Sequence, residues 1–395
     1  MDTYFNSGVK RTKCNLTWAP ARGAPHPPYS YSNSVSFDIP LARETLLFFS
    51  QGGLTGGSLT VTSSANISDI ARVDITVHYH DRRMRDQAEI CVVKRNEGEN
   101  GVGIYTHRVT PPHNSFCDEL HFEVVLTIPC GTPDETLYLN RLETHVSTFS
   151  QYLEPLAIDF GDLILNGRTG EITVKTIIAH SAYFKTHTGS ISAEVTPVCL
   201  EIDVRSETGS MKGIYMAARS LCLITNTGKV NVDALLTGSE GPNNSLNIHT
   251  RTGPLIARIL LGPLDTPDSY RGNNFAVTTK SSNGSLIVYI TSPPDSVLTV
   301  DASTRTGSAI LSLSPQFEGY MDVYSAHSVG EIEVSNTTGS SDGRRRVMNT
   351  TQRETHWGRG TAGSVFWEAN PVMNVQRPMG NVVLETWTGP ATICL

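Results

Sequence analysis

The apolar residues between Leu163 and Val334 recur in one short pattern built around a glycine, as in LILNGRTGEITV (163–174) and LCLITNTGKVNV (221–232). The glycines are Gly170, Gly189, Gly209, Gly228, Gly253, Gly284, Gly307 and Gly330, and a ninth, Gly389, closes the chain in VVLETWTGPATI (382–393). Counting each glycine as zero, apolar residues fall mostly at −7, −5, +2 and +4. At +2 stand Ile172, Ile191, Met211, Val230, Leu255, Leu286, Ala309, Ile332 and Ala391. At +4 stand Val174, Ala193, Gly213, Val232, Ala257, Val288, Leu311, Val334 and Ile393. Alternation with period two predicts strands with one buried face.

The parity of the apolar positions changes at the glycine, from odd before it to even after it. A one-residue slip turns a strand's side chains over. The glycine is therefore expected to re-aim the chain at a corner, in the left-handed conformation that glycine alone adopts freely. On that expectation Gly209→Val forces a β-branched residue to φ > 0 and costs about 1–3 kcal/mol.

Threonine fills −1 in seven copies (Thr169, Thr188, Thr208, Thr227, Thr252, Thr306, Thr388) and −3 in five (Thr186, Thr225, Thr250, Thr304, Thr386). Both positions share the apolar parity, so these side chains are expected inward or in the corner, where a hydroxyl reaches backbone. One strand–corner–strand copy cannot bury its apolar face alone, but a stack of copies can. The fold read from this is all-β: a β-solenoid or β-roll of stacked strand–glycine corner–strand repeats over residues 151–395. Early glycine spacings of 19 to 20 residues widen to between 23 and 31, which predicts loops bulging from the stack.

Residues 1–34 hold Pro20, Pro25, Pro27 and Pro28 among Tyr, Ser and Gly, and read as a disordered or extended tail. Residues 35–150 alternate like strands and read as an N-terminal β-rich cap over an open sheet edge. Within them Gly57, with Leu59 and Val61, repeats the +2, +4 rule and suggests an irregular first copy. Leu142–Leu156 is the place left for a short bridging helix. Residues 340–381 interrupt the repeat as a loop excursion carrying Arg344, Arg345, Arg346, Trp357 and Trp367, read as a solvated loop with its tryptophans packed on the flank.

Composition narrows the function classes. With 17% charged residues and 33 glycines the chain suits strands and turns better than helices. A net charge of −7 argues against a nucleic-acid partner, which calls for a basic face. No stretch of eighteen apolar residues suggests a transmembrane helix, and the first twenty residues lack the apolar core of a secretory signal. The seven cysteines, Cys14, Cys91, Cys117, Cys130, Cys199, Cys222 and Cys394, lack CxxC spacing and read as buried free thiols, with Cys117–Cys130 as an alternative pair.

Nothing at the repeat positions looks reserved for chemistry, so the primary reading is a non-enzymatic structural or interaction module without a cofactor or metal. The alternative is a carbohydrate-binding or carbohydrate-active β-helix protein. Cleavage of a glycosidic bond needs two carboxylates about 5–10 Å apart, hence acids on adjacent copies. Asp203 and Asp301 share position −6, and Glu171 and Glu331 share +1, but each pair lies copies apart. Asp159 and Asp162 are the remaining pair, with turn or cap duty as the competing reading. A crystal-matching threonine face is rejected, because the outward −2 column runs Arg168, His187, Glu207, Asn226, Arg251, Ser282, Arg305, Ser328, Trp387. His78 and His80 share a strand face at a metal-capable spacing, without a visible third ligand. Six glycosylation sequons, at Asn15, Asn66, Asn243, Asn283, Asn336 and Asn349, are compatible with a secretory route.

The repeated T-x-T-G-x-I-x-V unit resembles the adhesin-type β-repeat family of bacteria. The layout of a SVSFDIPL opening, a GGSLTV turn, the repeats, a W-G-x-G loop and a final VxLETxTG copy is similar to its uncharacterised fungal relatives, over residues 35–395. The resemblance implies a β-solenoid and a cell-surface or adhesion role towards a protein or polysaccharide surface. It supplies no catalytic residues to carry over.

Overall fold

The computed structural model describes residues 9–14, 17–41, 45–53, 55–65, 68–106, 120–130, 136–193, 199–238, 244–262, 274–294, 296–334, 346–355, 358–367 and 379–395. Among these the chain is nearly all strand, with one four-residue helix at Arg82–Arg85. It divides into two compact units, Met1–Val198 and Cys199–Leu395.

In the C-terminal unit each copy places its first strand in one parallel ladder and its second strand in another. The first ladder runs from Cys199–Ser206 through Ser220–Thr225, Asn244–Thr252 and Asn274–Asn283 to Val297–Thr306. The second runs from Met211 through Val230–Leu236, Leu255–Leu261 and Leu286–Thr291 to Ala309–Leu313. Equivalent positions pair throughout, so Met211, Val230, Leu255, Leu286 and Ala309 form one column, each at most 1% exposed. The +2 and +4 positions are the core that their alternation predicted, except for half-buried Gly213 and for the Gly330 copy, where Ile332 is half-buried and Val334 exposed.

Chain order and spatial order part at the end. The ninth copy does not close the stack: Gly380–Thr386 lies between Val297–Thr306 and Gly319–Ser325, parallel to both. Its second strand, Ala391–Cys394, likewise separates Ala309–Leu313 from Gly330–Glu333. The expected loop 340–381 is instead, where described, an antiparallel hairpin of Arg346–Thr355 and Gly358–Trp367. The hairpin pairs antiparallel with Gly319–Ser325 and so covers the parallel edge that this strand would otherwise expose. Arg346 stacks its guanidinium over the Trp367 ring at 5.8 Å; Arg344, Arg345 and Trp357 lie outside the described residues.

The N-terminal unit continues the same pairing well before residue 151. Its first ladder runs Glu99–Thr106, Thr45–Gln51, Leu137–Val146, Ile158–Gly167, Ile178–Thr186. Its second runs Leu120–Pro129, Thr55–Ser64, Phe149–Leu153, Ile172–Val174, Ile191–Ala193. Residues 45–153 thus hold three further copies, and here too the outermost copy is not the first in sequence. Antiparallel strands finish both edges: Ala88–Lys94 and Lys10–Lys13 on one ladder, Ile70–Tyr79 and Tyr31–Pro40 on the other. The helix expected within 142–156 is two strands, because Leu142, Thr144 and Val146 alternate inward and Ser147–Thr148 makes the corner. The tail expected over 1–34 carries Lys10–Lys13 and Ala19–Pro20 as paired strands.

The corner glycines serve close approach rather than a left-handed turn. Of the nine, Gly307 alone has a φ in the left-handed region, +133°. Gly170, Gly189, Gly209, Gly228, Gly253, Gly284, Gly330 and Gly389 do not, so the strain expected of Gly209→Val at φ > 0 has no basis. At Gly228 a Cβ would stand 2.0 Å from the Gly209 carbonyl oxygen of the preceding copy, a separation atoms do not tolerate. The threonines also separate into two roles. Those at −3 are buried; Thr186, Thr225, Thr250 and Thr304 donate to the preceding copy's glycine carbonyl, as Thr250 does to Gly228 at 3.0 Å, and Thr386 donates to that of its own Gly389. Those at −1, expected inward or in the corner, are exposed or half-buried, and Thr252 reaches the Asn226 carbonyl at 3.3 Å.

Candidate functional site

Strands in register set their outward side chains in rows about 4.8 Å apart. One row of the C-terminal unit reads His249, Lys280, Ser303, Glu385, Tyr324, Gly360, Arg353. The next reads Asn247, Thr278, Asp301, Val383, Asp322, Ala362. Arg305 and Trp387 stand two residues beyond Ser303 and Glu385 on the other side. Ser303, Val383 and Gly360 are small between large neighbours, and the result is a groove of about 800 Å³. It exists because the Gly389 copy is inserted: Glu385 and Trp387 arrive between the strands bearing Ser303 and Tyr324.

Some charges of the groove are committed. Lys280 pairs with Asp301 at 2.6 Å, and Arg353 lies 3.9 Å from Asp322. Burial, with the Lys280 charge second, pushes the His249 imidazole below its usual range, which favours its neutral form. Other groups are unspent. The side chains of Arg305 and Glu385 have no ion pair or hydrogen bond among the described residues. The Tyr324 hydroxyl is shielded from solvent and has no hydrogen-bond partner among the described residues. The Trp387 indole is 47% exposed and is braced edge-on by His327, ring centroids 5.8 Å apart. The −2 column singled out Arg305 and Trp387, but nothing in the sequence placed Glu385 or Tyr324 beside them.

Of the carboxylates singled out in the sequence, Asp301 borders the groove, paired with Lys280, and the others fall elsewhere. Asp162 is bound to Arg141 at 2.6 Å and Asp203 to Arg205 at 2.8 Å, each tied to an arginine of its own unit. In register Glu385 stands two positions from Asp322 on one neighbouring strand and two from Asp301 on the other.

In the N-terminal unit the His78-x-His80 pair acquires neighbours from distant segments. The His26 ring centroid lies 6.1 Å from that of His78, and His121, opposite His78 in register, is also 6.1 Å away. His78 Nε2 faces Glu123 at 3.5 Å, and its Nδ1 accepts the His26 backbone N–H at 3.2 Å. Burial, then the charges of His78 and His26, lower the His121 pKa. Among the described residues, the group of three whose ligand atoms lie within 4.8 Å of one another is Cys14, Glu89 and Cys91. Two of these are joined, because Cys14 and Cys91 form a disulfide. That corrects the free-thiol reading for this pair: Lys10–Lys13 pairs with Ala88–Lys94 and brings the two sulfurs together. Cys130, Cys199, Cys222 and Cys394 carry thiols outside any disulfide, and Cys117 lies outside the described residues.

Of the sequons, Asn283 and Asn349 are exposed, Asn283 at a corner where its Oδ1 accepts from Thr306 at 3.2 Å. Asn15, Asn66, Asn243 and Asn336 lie outside the described residues. No helix among the described residues is long and apolar enough to cross a membrane.

No protein-family profile matches the chain, and none of the curated proteins is similar to it. A solved structure from Clostridium sporogenes, described as a "putative cell adhesion protein", aligns over 92% of this chain and 99% of its own at 9% identity, with a TM-score of 0.21.

Proposed function

We propose that the chain is a non-enzymatic β-solenoid of the adhesin-type repeat kind, a surface, scaffold or adhesion module whose C-terminal unit holds another molecule in the groove above. The solenoid reading is supported by the uniform step in both ladders, where each copy meets the next at equivalent positions. The binding reading rests on one observation: a groove of about 800 Å³ is lined by a braced, exposed indole and by Arg305 and Glu385, whose side chains have no ion pair or hydrogen bond among the described residues. Both charged side chains are exposed and so open to a ligand's polar groups, in a concave surface of the kind that holds ligands. The Cys14–Cys91 disulfide supports a role outside the reducing cytosol. The partner is a protein or polysaccharide surface.

The proximity of Glu385 and Asp322 favours a second reading, a carbohydrate-active protein, although Asp322 is engaged by Arg353. The test is retention of the purified chain on immobilised extracellular polysaccharides and matrix proteins, with a parallel assay for reducing ends. Retention by the parent, its loss in the Arg305→Ala/Trp387→Ala double variant and no release of reducing ends are expected. Absence of any groove-dependent binding would overturn the binding reading, and sugar release that disappears in Glu385→Gln would overturn the non-enzymatic one.

A further inference from the structure

We infer that the groove of the C-terminal unit is a subsite for a neutral oligosaccharide, stacked on Trp387 and held through vicinal hydroxyls by Arg305 and Glu385. The inference rests on the binding role proposed above and names its ligand class.

Four features of the groove select that class. The first is charge. Cations and anions alternate along it, Lys280 against Asp301, Arg353 against Asp322, and free Arg305 near free Glu385. A polyanion meets Glu385 and Asp322, a polycation meets Arg305 and Arg353, and like charges brought together are costly. The second is polarity. Ser282 and Ser303 line it beside Val383, Tyr324 and Trp387, so hydroxyls and apolar faces stand side by side, as they do on a sugar.

The third feature is the pairing of unspent groups. A guanidinium offers only donors and a carboxylate only acceptors. A hydroxyl is both, so adjacent hydroxyls of one ring satisfy Arg305 and Glu385 together without adding charge. The fourth is the indole. Its π face carries partial negative charge, attracts the weakly positive C–H face of a pyranose, and is already fixed by His327. From the strand of Lys280 to that of Tyr324 is three strand intervals, about 14 Å, longer than one sugar ring and suited to a short oligomer.

The experiment is binding of the full chain to a printed array of neutral cello-, chito-, laminari-, manno- and galacto-oligosaccharides. Heparin, polygalacturonate, and one acidic and one basic peptide share the array, and hits are measured by calorimetry. The expected result is micromolar-to-millimolar binding of a neutral oligosaccharide that changes little between 50 and 500 mM salt, since no net charge is neutralised (about the range in which surface pairs are screened). Trp387→Ala and Glu385→Gln should each weaken it at least tenfold while leaving the melting temperature at the parent value. Arg305→Lys, which keeps the charge but loses the planar fork, should fall between.

Groove-dependent binding only of a peptide or of an anionic polymer would overturn the saccharide assignment and leave the interaction role standing. Neutral-sugar binding that survives both Trp387→Ala and Glu385→Gln would place the sugar elsewhere and overturn the inference. No groove-dependent binding of any probe, in the array or on the immobilised surfaces, would overturn both.

Discussion

The Thr225 hydroxyl, fully buried, donates to the carbonyl oxygen of Gly209 at 2.9 Å, one copy away in the stack. The same bond recurs from Thr250 to Gly228, Ser281 to Gly253, Thr304 to Gly284 and Ser325 to Gly389. The last of these joins copies that are out of sequence order, so the bond follows spatial neighbours. Thr225→Val removes the hydroxyl and leaves a buried carbonyl short of a partner. A loss of about 1–3 kcal/mol is expected in urea unfolding. The control is Thr227→Val, whose exposed hydroxyl sits 3.5 Å from the Glu207 carbonyl. It should change stability by less than about 0.5 kcal/mol. Equal effects at the two positions would remove the distinction between inner and outer threonines.

The corner column makes a sharper demand at Gly228. A methyl group there must push the Gly209 carbonyl from 2.0 Å to ordinary contact, which strains two adjacent copies at once. Gly228→Ala is expected to cost about 1–3 kcal/mol or more, in the range of overpacked cores. Gly53→Ala, where an added Cβ meets nothing within 4 Å, is expected to be neutral or mildly stabilising through the unfolded chain. Thermal melts of the two variants decide it, and a harmless Gly228→Ala would remove the close-approach explanation.

Much of the repeat was legible because a buried face prints its period on the sequence, as at Ile172, Ile191 and Met211. Two copies were missed because phenylalanine stands where the glycine was sought: Phe149 pairs with Gly57, and Gly57 with Phe122. Their rings are buried and stacked, 6.2 Å apart, so those corners are filled from within. The left-handed corner was misread because parity can change through a tight corner of ordinary φ; glycine is selected there by the neighbouring carbonyl, which no local pattern reveals. Least legible was the groove. Copies that fit one another equally well carry no address, so nothing at Val382–Thr386 says that it pairs with Val297–Thr306 and Gly319–Ser325. Glu385 and Tyr324 meet only through that insertion.

The N-terminal unit has an acid-sensitive tie. Arg95 grips the Glu143 carboxylate with both terminal nitrogens at 2.9 Å, and His145 adds a third contact at 2.6 Å. Burial alone would raise the Glu143 pKa, but the hydrogen bonds from His145 and Arg95 outweigh it and bring it down to about 2. A carboxyl depressed in the folded state stabilises the fold above its unfolded pKa, near 4.5, and loses that contribution as pH falls towards 2. The loss amounts to at most about 3.5 kcal/mol at roughly 1.4 kcal/mol per pH unit. Stability measured at pH 6, 4 and 3 should therefore fall less steeply in Glu143→Gln than in the parent, from a lower start at pH 6. Parallel curves would show that this tie does not set the acid response.

The Cys14–Cys91 bond closes a loop 77 residues apart in sequence and fastens Lys10–Lys13 to Ala88–Lys94. Around it lie Phe49 and Val93, with Val9 and Tyr105 against them, and the Arg11 guanidinium sits 3.7 Å above the Tyr105 ring. The noncovalent part of this contact is small and partly exposed, so the strand depends on the covalent link. Cross-linking so long a loop restricts the unfolded chain and is worth about 2–4 kcal/mol. Cys14→Ser is accordingly expected to lower the unfolding free energy by that amount. It should also expose Lys10–Lys13 to trypsin while the ladders beyond Thr45 stay protected. In protein from its native source, Cys14 and Cys91 should resist alkylation in denaturant until a reductant is added, whereas Cys130, Cys199, Cys222 and Cys394 react at once. If Cys14 and Cys91 alkylate without reductant, the bond does not form in the cell, and the argument for an oxidising compartment goes with it.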